Sequence, residues 1–133
     1  MKRTPFLLTA VGLLLGVPVL KGDDADSNKV QELMKRKLTQ SQKVLEGIAL
    51  NDFDMIAKHA EELQVISKQA EWKVLKTPLY VMYSNDFRGI AEELVKNAKK
   101  KNIDAAALPY VELTLTCVKC HKHVREKRMV RLD

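Results

Sequence analysis

Apolar residues recur three or four positions apart in four stretches of the chain, a spacing that predicts amphipathic α-helices. In the first stretch these residues are Val30, Leu33, Met34, Leu38, Val44, Leu45 and Ile48. In the second they are Phe53, Ile56, Ala60, Leu63, Ile66 and Ala70. In the third they are Phe87, Ile90, Ala91, Leu94 and Ala98. The fourth stretch reads AAALPYVELTLTCVKCHKHVREKR.

Short polar residues that favour N-caps predict where each helix begins. We expect caps at Asp26 or Ser27, at Asn51 or Asp52, at Ser84, and at Asp104. Pro78 disfavours helix at Thr77, so the segment KTPLYVMYSND is predicted to be a connector. Pro109 is expected to bend the fourth helix or to delay its start. Four helices with short links predict an all-α fold, an antiparallel four-helix bundle.

The first 22 residues have the composition of a secretion signal. Lys2 and Arg3 precede an apolar run from Phe6 to Leu20, shorter than the roughly 20 residues that a transmembrane helix needs. We therefore interpret residues 1–22 as a signal peptide and residues 23–133 as one exported, periplasmic domain. An uncleaved anchor that tethers the domain to the membrane is the alternative, because no A-x-A triplet marks a cleavage site.

The charge of the chain depends on this leader. Loss of residues 1–22 removes Lys2, Arg3 and Lys21 but no acidic residue, so the formal charge falls from +6 to +3. A basic cluster remains on the last helix: Lys119, Lys122, Arg125, Lys127, Arg128 and Arg131. No aromatic residues are interleaved with this cluster as a stacking platform requires, so nucleic-acid binding is not expected.

The two cysteines of the chain, Cys117 and Cys120, are followed directly by His121. The sequence CVKCH is therefore C-x-x-C-H, the attachment motif of a c-type haem. In such a site two thiols add across the haem vinyl groups and the histidine ligates iron. On a helix the three residues project from one side. The motif predicts one covalent haem c near the C-terminal end of the last helix.

Two other kinds of site use closely spaced cysteines. A thioredoxin-like redox pair belongs in a βαβ setting, which the helical pattern does not provide. A tetrahedral zinc site is disfavoured because Cys117, Cys120, His121 and His123 crowd into one short segment. His123 is instead expected to be solvated. Nothing resembles a catalytic triad, a carboxylate pair or a phosphate loop, so the chain is not expected to be an enzyme.

A helical bundle with C-x-x-C-H in its last helix resembles cytochrome c′ and its low-spin relatives, the class II c-type cytochromes. The resemblance covers about residues 28–131. The segment CVKCHKHVR carries most of it, with support from VLEGIALNDFDMIAKHAEEL and TPLYVMYSNDFRGIAEEL. Class I cytochromes c place the motif near the N-terminus instead. The resemblance implies that Arg125, four residues after His121, lies beside the proximal iron ligand.

In this family the first helix supplies the residue on the other face of the iron. Met34 lies in the matching region, and its thioether would give His/Met ligation, which raises the reduction potential and suits electron transfer. If Leu33 or Leu38 faces the iron instead, the haem is five-coordinate and admits NO or CO. His59 is expected at an exposed edge. Trp72 is expected to close the bundle near the second connection or to pack against the haem edge.

The sequence thus predicts an exported monohaem c-type cytochrome that transfers single electrons. Its positive charge and basic last helix fit a redox partner protein with an acidic docking face. A five-coordinate protein that binds NO or CO is the second hypothesis, and a haem-free helical interaction protein is the third. The sequence leaves open whether the domain is a monomer or a homodimer.

Overall fold

The structure, a computed structural model, describes the backbone of residues 22–130 and the side chains of residues 26–130. Its helices are α1 (Gly22–Leu50), α2 (Phe53–Ser67), α3 (Pro78–Lys99) and α4 (Ile103–Met129), with a 3₁₀ turn at Ala70–Trp72. The prediction of an all-α chain is confirmed for this region, which has no β-strand. No helix of the described residues is both long and apolar enough to cross a membrane. The predicted signal peptide lies outside the described residues, apart from Gly22.

The N-cap predictions were right for α2 and wrong for α1 and α4. The carboxylate of Asp52 accepts a hydrogen bond from the Met55 N–H at 2.9 Å, as an N-cap should. α1 begins at Gly22, upstream of Asp26 and Ser27, so neither residue is its N-cap. α4 is capped by Asn102, whose side chain accepts from the Ala105 N–H at 3.0 Å. Asp104 lies within its first turn.

α3 begins earlier than the sequence predicted. Thr77 is its N-cap, and its hydroxyl accepts from the Tyr80 N–H at 3.2 Å. Pro78 follows at the first helical position, where a missing N–H costs nothing and the fixed φ suits a helix. The proline therefore starts α3 instead of belonging to a connector. Ser84, predicted as the cap, lies inside the helix and is buried.

Pro109 lies inside α4 without ending it. Proline has no N–H, so the Ala105 carbonyl loses the donor that residue i+4 normally supplies. The side-chain amide of Asn97, in α3, donates to that carbonyl at 2.7 Å. A side chain of the neighbouring helix thus satisfies the backbone group that the proline leaves open.

The helices enclose one apolar core, in which each helix packs mainly against its sequence neighbours. Buried residues include Val44 of α1, Leu63 of α2, Phe87 of α3 and Leu113 of α4. Contacts between helices join Gln40 to His59, Gly47 to Ile56, Thr77 to His123 and Asn97 to Ala105. α1 and α4 touch each other far less than the consecutive pairs do. Leu38 and Leu45, predicted as core residues of α1, are consequently 59% and 49% exposed.

The corner between α1 and α2 is tight at Gly47. Asn51 takes a left-handed conformation with φ of 56°, and the Asp52 N–H donates to the Gly47 carbonyl at 2.8 Å. A Cβ added at Gly47 would lie 2.9 Å from Cγ1 of Ile56 and 3.1 Å from the Asp52 carbonyl oxygen. Since Ile56 is fully buried, this close approach requires glycine.

We expect Gly47→Ala to destabilise the fold by about 1 kcal/mol. The cost of overpacking, about 1–3 kcal/mol, exceeds the gain of about 1 kcal/mol in helix propensity. Gly89→Ala in α3 is the matched control, because a Cβ there meets nothing within 4 Å. That variant should gain about 0.5–1 kcal/mol. Urea unfolding followed by circular dichroism measures both, and an equal gain in the two variants would contradict the tight corner.

Candidate functional site

A cavity of about 410 Å³ opens between α1 and α4, where these helices leave a gap. This volume lies within the range of small-molecule and cofactor sites, about 300–1,000 Å³. α1 contributes Ser27, Val30, Gln31, Met34 and Lys37, and α4 contributes Cys120, His121, Val124, Arg125 and Arg128. Trp72, Val74 and Tyr80 complete the lining from the second connection and α3. The cavity therefore has walls from both helices that flank the gap.

The CVKCH motif lies on α4 beside this cavity. Cys120 and His121 line it, and Cys117 lies one helical turn earlier. Both cysteines are half-buried free thiols that pack against the core, so they share the inner side of the helix. Arg125, one turn after His121, lines the same cavity. The structure thus brings Cys120, His121 and Arg125 together, with Cys117 adjacent.

On the α1 wall, the structure distinguishes the three residues considered for the position opposite His121. Met34 lines the cavity and is partly buried. Leu33 is 3% exposed and belongs to the core. Leu38 is exposed and is not among the lining residues. Of these three, Met34 is the side chain that can reach a group held in the cavity.

Lys37 is a lysine in the position of a core residue. It is 7% exposed, and its Nζ lies 5.0 Å from the ring centre of Trp72 and 4.8 Å from that of Phe87. Among the described residues it has no carboxylate partner, so the two aromatic faces stabilise its charge. Burying an ammonium without a carboxylate is unfavourable. Lys37 therefore places a cation, held against two aromatic rings, in the lining of the cavity.

The side chains behind Lys37 are held by hydrogen bonds. The Trp72 indole N–H donates to the Ser84 hydroxyl at 3.0 Å, and the Tyr80 hydroxyl donates to the Trp72 carbonyl. Trp72 also packs against Phe87, with ring centres 5.0 Å apart. Trp72 thus lies in the second connection, between α2 and α3, and also lines the cavity. The indole N–H of Trp72 and the hydroxyl of Tyr80 therefore both have hydrogen-bond partners.

Burial and nearby charges favour the neutral forms of His121 and Cys120, and the cations of the lining favour an anionic ligand. Partial burial of the ring, and then Lys37 and Arg125, lower the pKa of His121, although the residue as a whole is exposed. Burial raises the pKa of Cys120, and burial with the nearby Cys120 raises that of Tyr80 to about 12. A neutral imidazole is the form that binds a metal. The described lining includes the cations Lys37, Arg125 and Arg128 but no carboxylate.

The other histidines lie away from the cavity. His123 was predicted to be solvated, which is wrong: it is 6% exposed, with Nε2 2.8 Å from the Thr77 hydroxyl and its ring edge against Tyr83. It faces α3 rather than α1. His59 is part-buried against α1, with Nδ1 2.6 Å from Oε1 of Gln40. Neither histidine lines the cavity.

Sequence reasoning missed Lys37 and Tyr80. Lys37 could have been found by position, because it stands four residues after Leu33 and seven before Val44, on the core side of α1. Tyr80 fell inside the segment predicted as a connector, so no helical face was assigned to it. For the other lining residues outside the predicted set, such as Gln31 and Val124, nothing in the local sequence indicates a place beside a cavity.

The lining suits a haem better than a metal ion bound by side chains alone. Within residues 26–130 no group of three or more His, Cys, Asp or Glu residues could hold a metal ion. A haem iron needs only one or two protein ligands, because the porphyrin provides the others. The apolar wall, the cations without carboxylates and the paired thiols fit an apolar macrocycle with carboxylate substituents. The residues present therefore fit the group that the motif predicts.

Comparisons of the chain with models of protein families, with curated protein sequences and with solved structures found no match.

Proposed function

We propose that this chain is a monohaem c-type cytochrome of the cytochrome c′ type that transfers single electrons. The observation that carries the proposal is that Cys120 and His121 of CVKCH open into a cavity that Met34 also lines from the opposite helix. Haem would supply a one-electron iron couple there. The contacts of Gly47 with Ile56 and of Thr77 with His123 each join the late part of one helix to the start of its sequence neighbour, which supports an antiparallel four-helix bundle.

Each residue of the site has a role in this proposal. The thiols of Cys117 and Cys120 would hold the haem through thioether bonds, and the His121 imidazole would bind its iron. The Met34 thioether would be the second protein ligand of the iron, which would exclude external ligands and favour the reduced state. Arg125 and Arg128 provide cations that the haem carboxylates require. Trp72 and Tyr80 shield the site from water.

The surroundings of the cavity suit a protein partner. Lys119, Lys122 and Lys127 are exposed on α4, and Arg125 and Arg128 are both exposed and part of the lining. The cavity mouth therefore lies within a basic surface, while Arg131 lies outside the described residues. Electrons would pass to or from a protein with an acidic face, with an association rate that falls as salt increases. Export to the periplasm belongs to the same proposal, and an enzymatic reaction does not.

The test is to produce the full chain with export and haem-attachment machinery. We expect a coloured protein whose haem stays bound after denaturation, with a low-spin spectrum in both oxidation states and slow or absent CO binding. A colourless product would contradict the haem proposal and favour a helical interaction protein. A covalent but high-spin haem that binds CO directly would keep the haem and favour NO or CO binding as the function.

The buried ammonium of Lys37 should raise the reduction potential. A cation in the lining of the cavity would favour the less positive, ferrous iron, because like charges repel. We therefore expect Lys37→Met to lower the potential by tens of millivolts. The haem-free variant should be as stable as the haem-free wild type or more stable, because a buried charge is removed.

Redox titration and urea unfolding measure the two effects of Lys37→Met. Lys35→Met, which removes an exposed lysine two residues away on α1, is the matched control and should leave the potential unchanged. Lys37→Arg should retain most of the potential, because it retains the charge. Equal potentials in the Lys37→Met and Lys35→Met variants would show that Lys37 does not act on the iron.

A further inference from the structure

Lys37, on the α1 wall of the cavity, is a cation without a polar partner among the described residues. The residue is 7% exposed, so it is more than nine-tenths buried. No carboxylate of residues 26–130 forms an ion pair with its Nζ, and no oxygen of these residues accepts a hydrogen bond from it. By contrast, no fully enclosed side-chain nitrogen or oxygen of the same region lacks a hydrogen-bond partner. The ammonium is therefore open on one side, and that side is the cavity that Lys37 lines.

Aromatic rings hold the other side of this ammonium. Its Nζ lies 5.0 Å from the ring centre of Trp72 and 4.8 Å from that of Phe87. The Trp72 ring is itself fixed by its hydrogen bond to Ser84 and by its contact with Phe87. The ring faces attract the charge, but an ammonium also has three N–H donors. Donors that point away from the rings are consequently free to bond a ligand in the cavity.

The charges around the cavity determine which sign of ligand fits. Arg125 and Arg128 are exposed cations of the lining, and the described lining includes no carboxylate. Burial lowers the pKa of His121 and the charge of Lys37 lowers it further, so the field of Lys37 reaches the α4 wall. An ammonium and two guanidinium groups without an opposing acid attract an anion.

The surroundings of Lys37 also select among anions. The Trp72 indole N–H and the Tyr80 hydroxyl already donate within the chain, so neither is free to bond a ligand. An anion beside these rings gains one ammonium and loses much of its water, which is most unfavourable for strongly hydrated ions such as sulfate and phosphate. We propose that the cavity binds one small, weakly hydrated inorganic anion, of the class of nitrate, nitrite or iodide, at Lys37. This site requires no haem.

In a haem-loaded chain, which rests on the proposed function, the same anion would act on the iron through Lys37. Its charge would offset the ammonium, so occupancy would lower the reduction potential in the same direction as Lys37→Met. Binding free energies are reciprocal, so the ferric form would hold the anion more tightly than the ferrous form by the same factor. The concentration of such anions would thereby regulate the potential.

The fluorescence of Trp72 reports occupancy, because it is the only tryptophan of the chain and its ring lies 5.0 Å from Lys37 Nζ. Iodide, which quenches indole fluorescence on contact, is the probe for the full chain without haem. We expect quenching that saturates with a dissociation constant on the order of 1–10 mM, because one cation is the main partner of the anion. Collisional quenching does not saturate, and Trp72 is buried against it. Sodium sulfate keeps the ionic strength constant.

Competition on the wild-type chain tests the selectivity without any variant. Perchlorate is weakly hydrated and does not quench indole, so it should displace iodide and restore the fluorescence. Added sulfate should not displace it. Caesium, a cationic quencher, should have little effect, because Lys37 repels it.

Replacement of Lys37 tests the residue itself. Lys37→Met should weaken iodide binding about tenfold or more, because it removes the charged donor and keeps most of the side-chain volume. Lys35→Met, on an exposed lysine two residues away, is the matched control and should leave the saturation curve unchanged. Circular dichroism confirms that both variants are folded.

Three results would each overturn the anion site. They are quenching that rises linearly with iodide, sulfate that displaces iodide as well as perchlorate does, and equal saturation curves for Lys37→Met and the wild type. None of them depends on haem, because the chain is tested without it.

Redox titration of haem-loaded protein tests the coupling, in sodium perchlorate and in sodium sulfate of equal ionic strength. The wild-type potential should be lower in perchlorate, and the Lys37→Met potential should be equal in the two salts. Equal wild-type potentials would overturn the coupling, since the haem would then keep the anion from Lys37. A chain that carries no haem contradicts the proposed function, and the fluorescence result alone then decides the anion site.

Discussion

We expect a chain in which Cys117 and Cys120 are both alanine to carry no covalent haem. Each single replacement should leave one thioether and a reduced yield of haem protein. The double variant should also be less stable, because only the folded chain would bury the apolar haem in the cavity, and that burial would be lost with the haem. In this fold the cavity separates α1 from α4, so a bound haem would connect two helices that otherwise make few contacts with each other.

Mass spectrometry of denatured protein gives the covalent haem content, and thermal unfolding gives the stability. Val118→Ala is the control, because Val118 lies between the two cysteines but is 58% exposed on the outer face of α4. It should retain full haem content. Covalent haem in the double alanine variant would contradict the attachment role of the cysteines, and equal stability of loaded and haem-free protein would contradict a haem buried in this cavity.

Replacement of Met34 by leucine should open the iron to external ligands. The thioether is lost while the apolar volume is nearly kept, so the ferric protein should change from low-spin to high-spin and the ferrous form should bind CO directly. The reduction potential should fall by on the order of 100 mV, a fraction of the roughly 0.8 V over which axial ligands set haem potentials. Absorption spectra with and without CO, and a redox titration, measure these changes.

Met82→Leu is the matched control, because Met82 of α3 is 47% exposed and does not line the cavity. Its spectrum should equal that of the wild type. If the Met34→Leu variant stays low-spin, another side chain is the distal iron ligand. Lys37 is then the first candidate to test, because it lines the same cavity. A wild type that is already high-spin would make Met34 a wall residue and favour the NO or CO function.

The four helices followed from apolar spacing, but three of their starts did not. Asp52 acts as the predicted cap of α2, and its carboxylate accepts from the Met55 N–H. Ser84 is an equally good cap residue, yet the Trp72 indole makes it an interior hydrogen-bond acceptor. Pro78 can end one helix or start the next, and the Thr77 hydroxyl decides between these outcomes. Local propensity does not decide between such alternatives. Contacts with residues distant in the sequence determine which one forms.

The site was partly predictable for a related reason. The C-x-x-C-H spacing of CVKCH predicts haem attachment. Met34 was a candidate because the resembled family takes its distal residue from the first helix, and the structure places Met34 in the lining of the cavity. Lys37 and His123 did not follow, since a charged or titratable residue is expected in water unless a partner is known. Their partners, the Trp72 and Phe87 rings and the Thr77 hydroxyl, come from distant parts of the sequence.

The hydrogen bond from Asn97 to the Ala105 carbonyl has a consequence for how this chain can change through evolution. Without the Asn97 amide, Pro109 leaves a carbonyl in α4 that lacks its helical donor. With an ordinary residue at position 109, that carbonyl has its own donor and Asn97 becomes dispensable. Loss of the proline must therefore precede or accompany loss of the asparagine. Positions 97 and 109 should covary among descendants of this sequence, although the two residues lie in different helices.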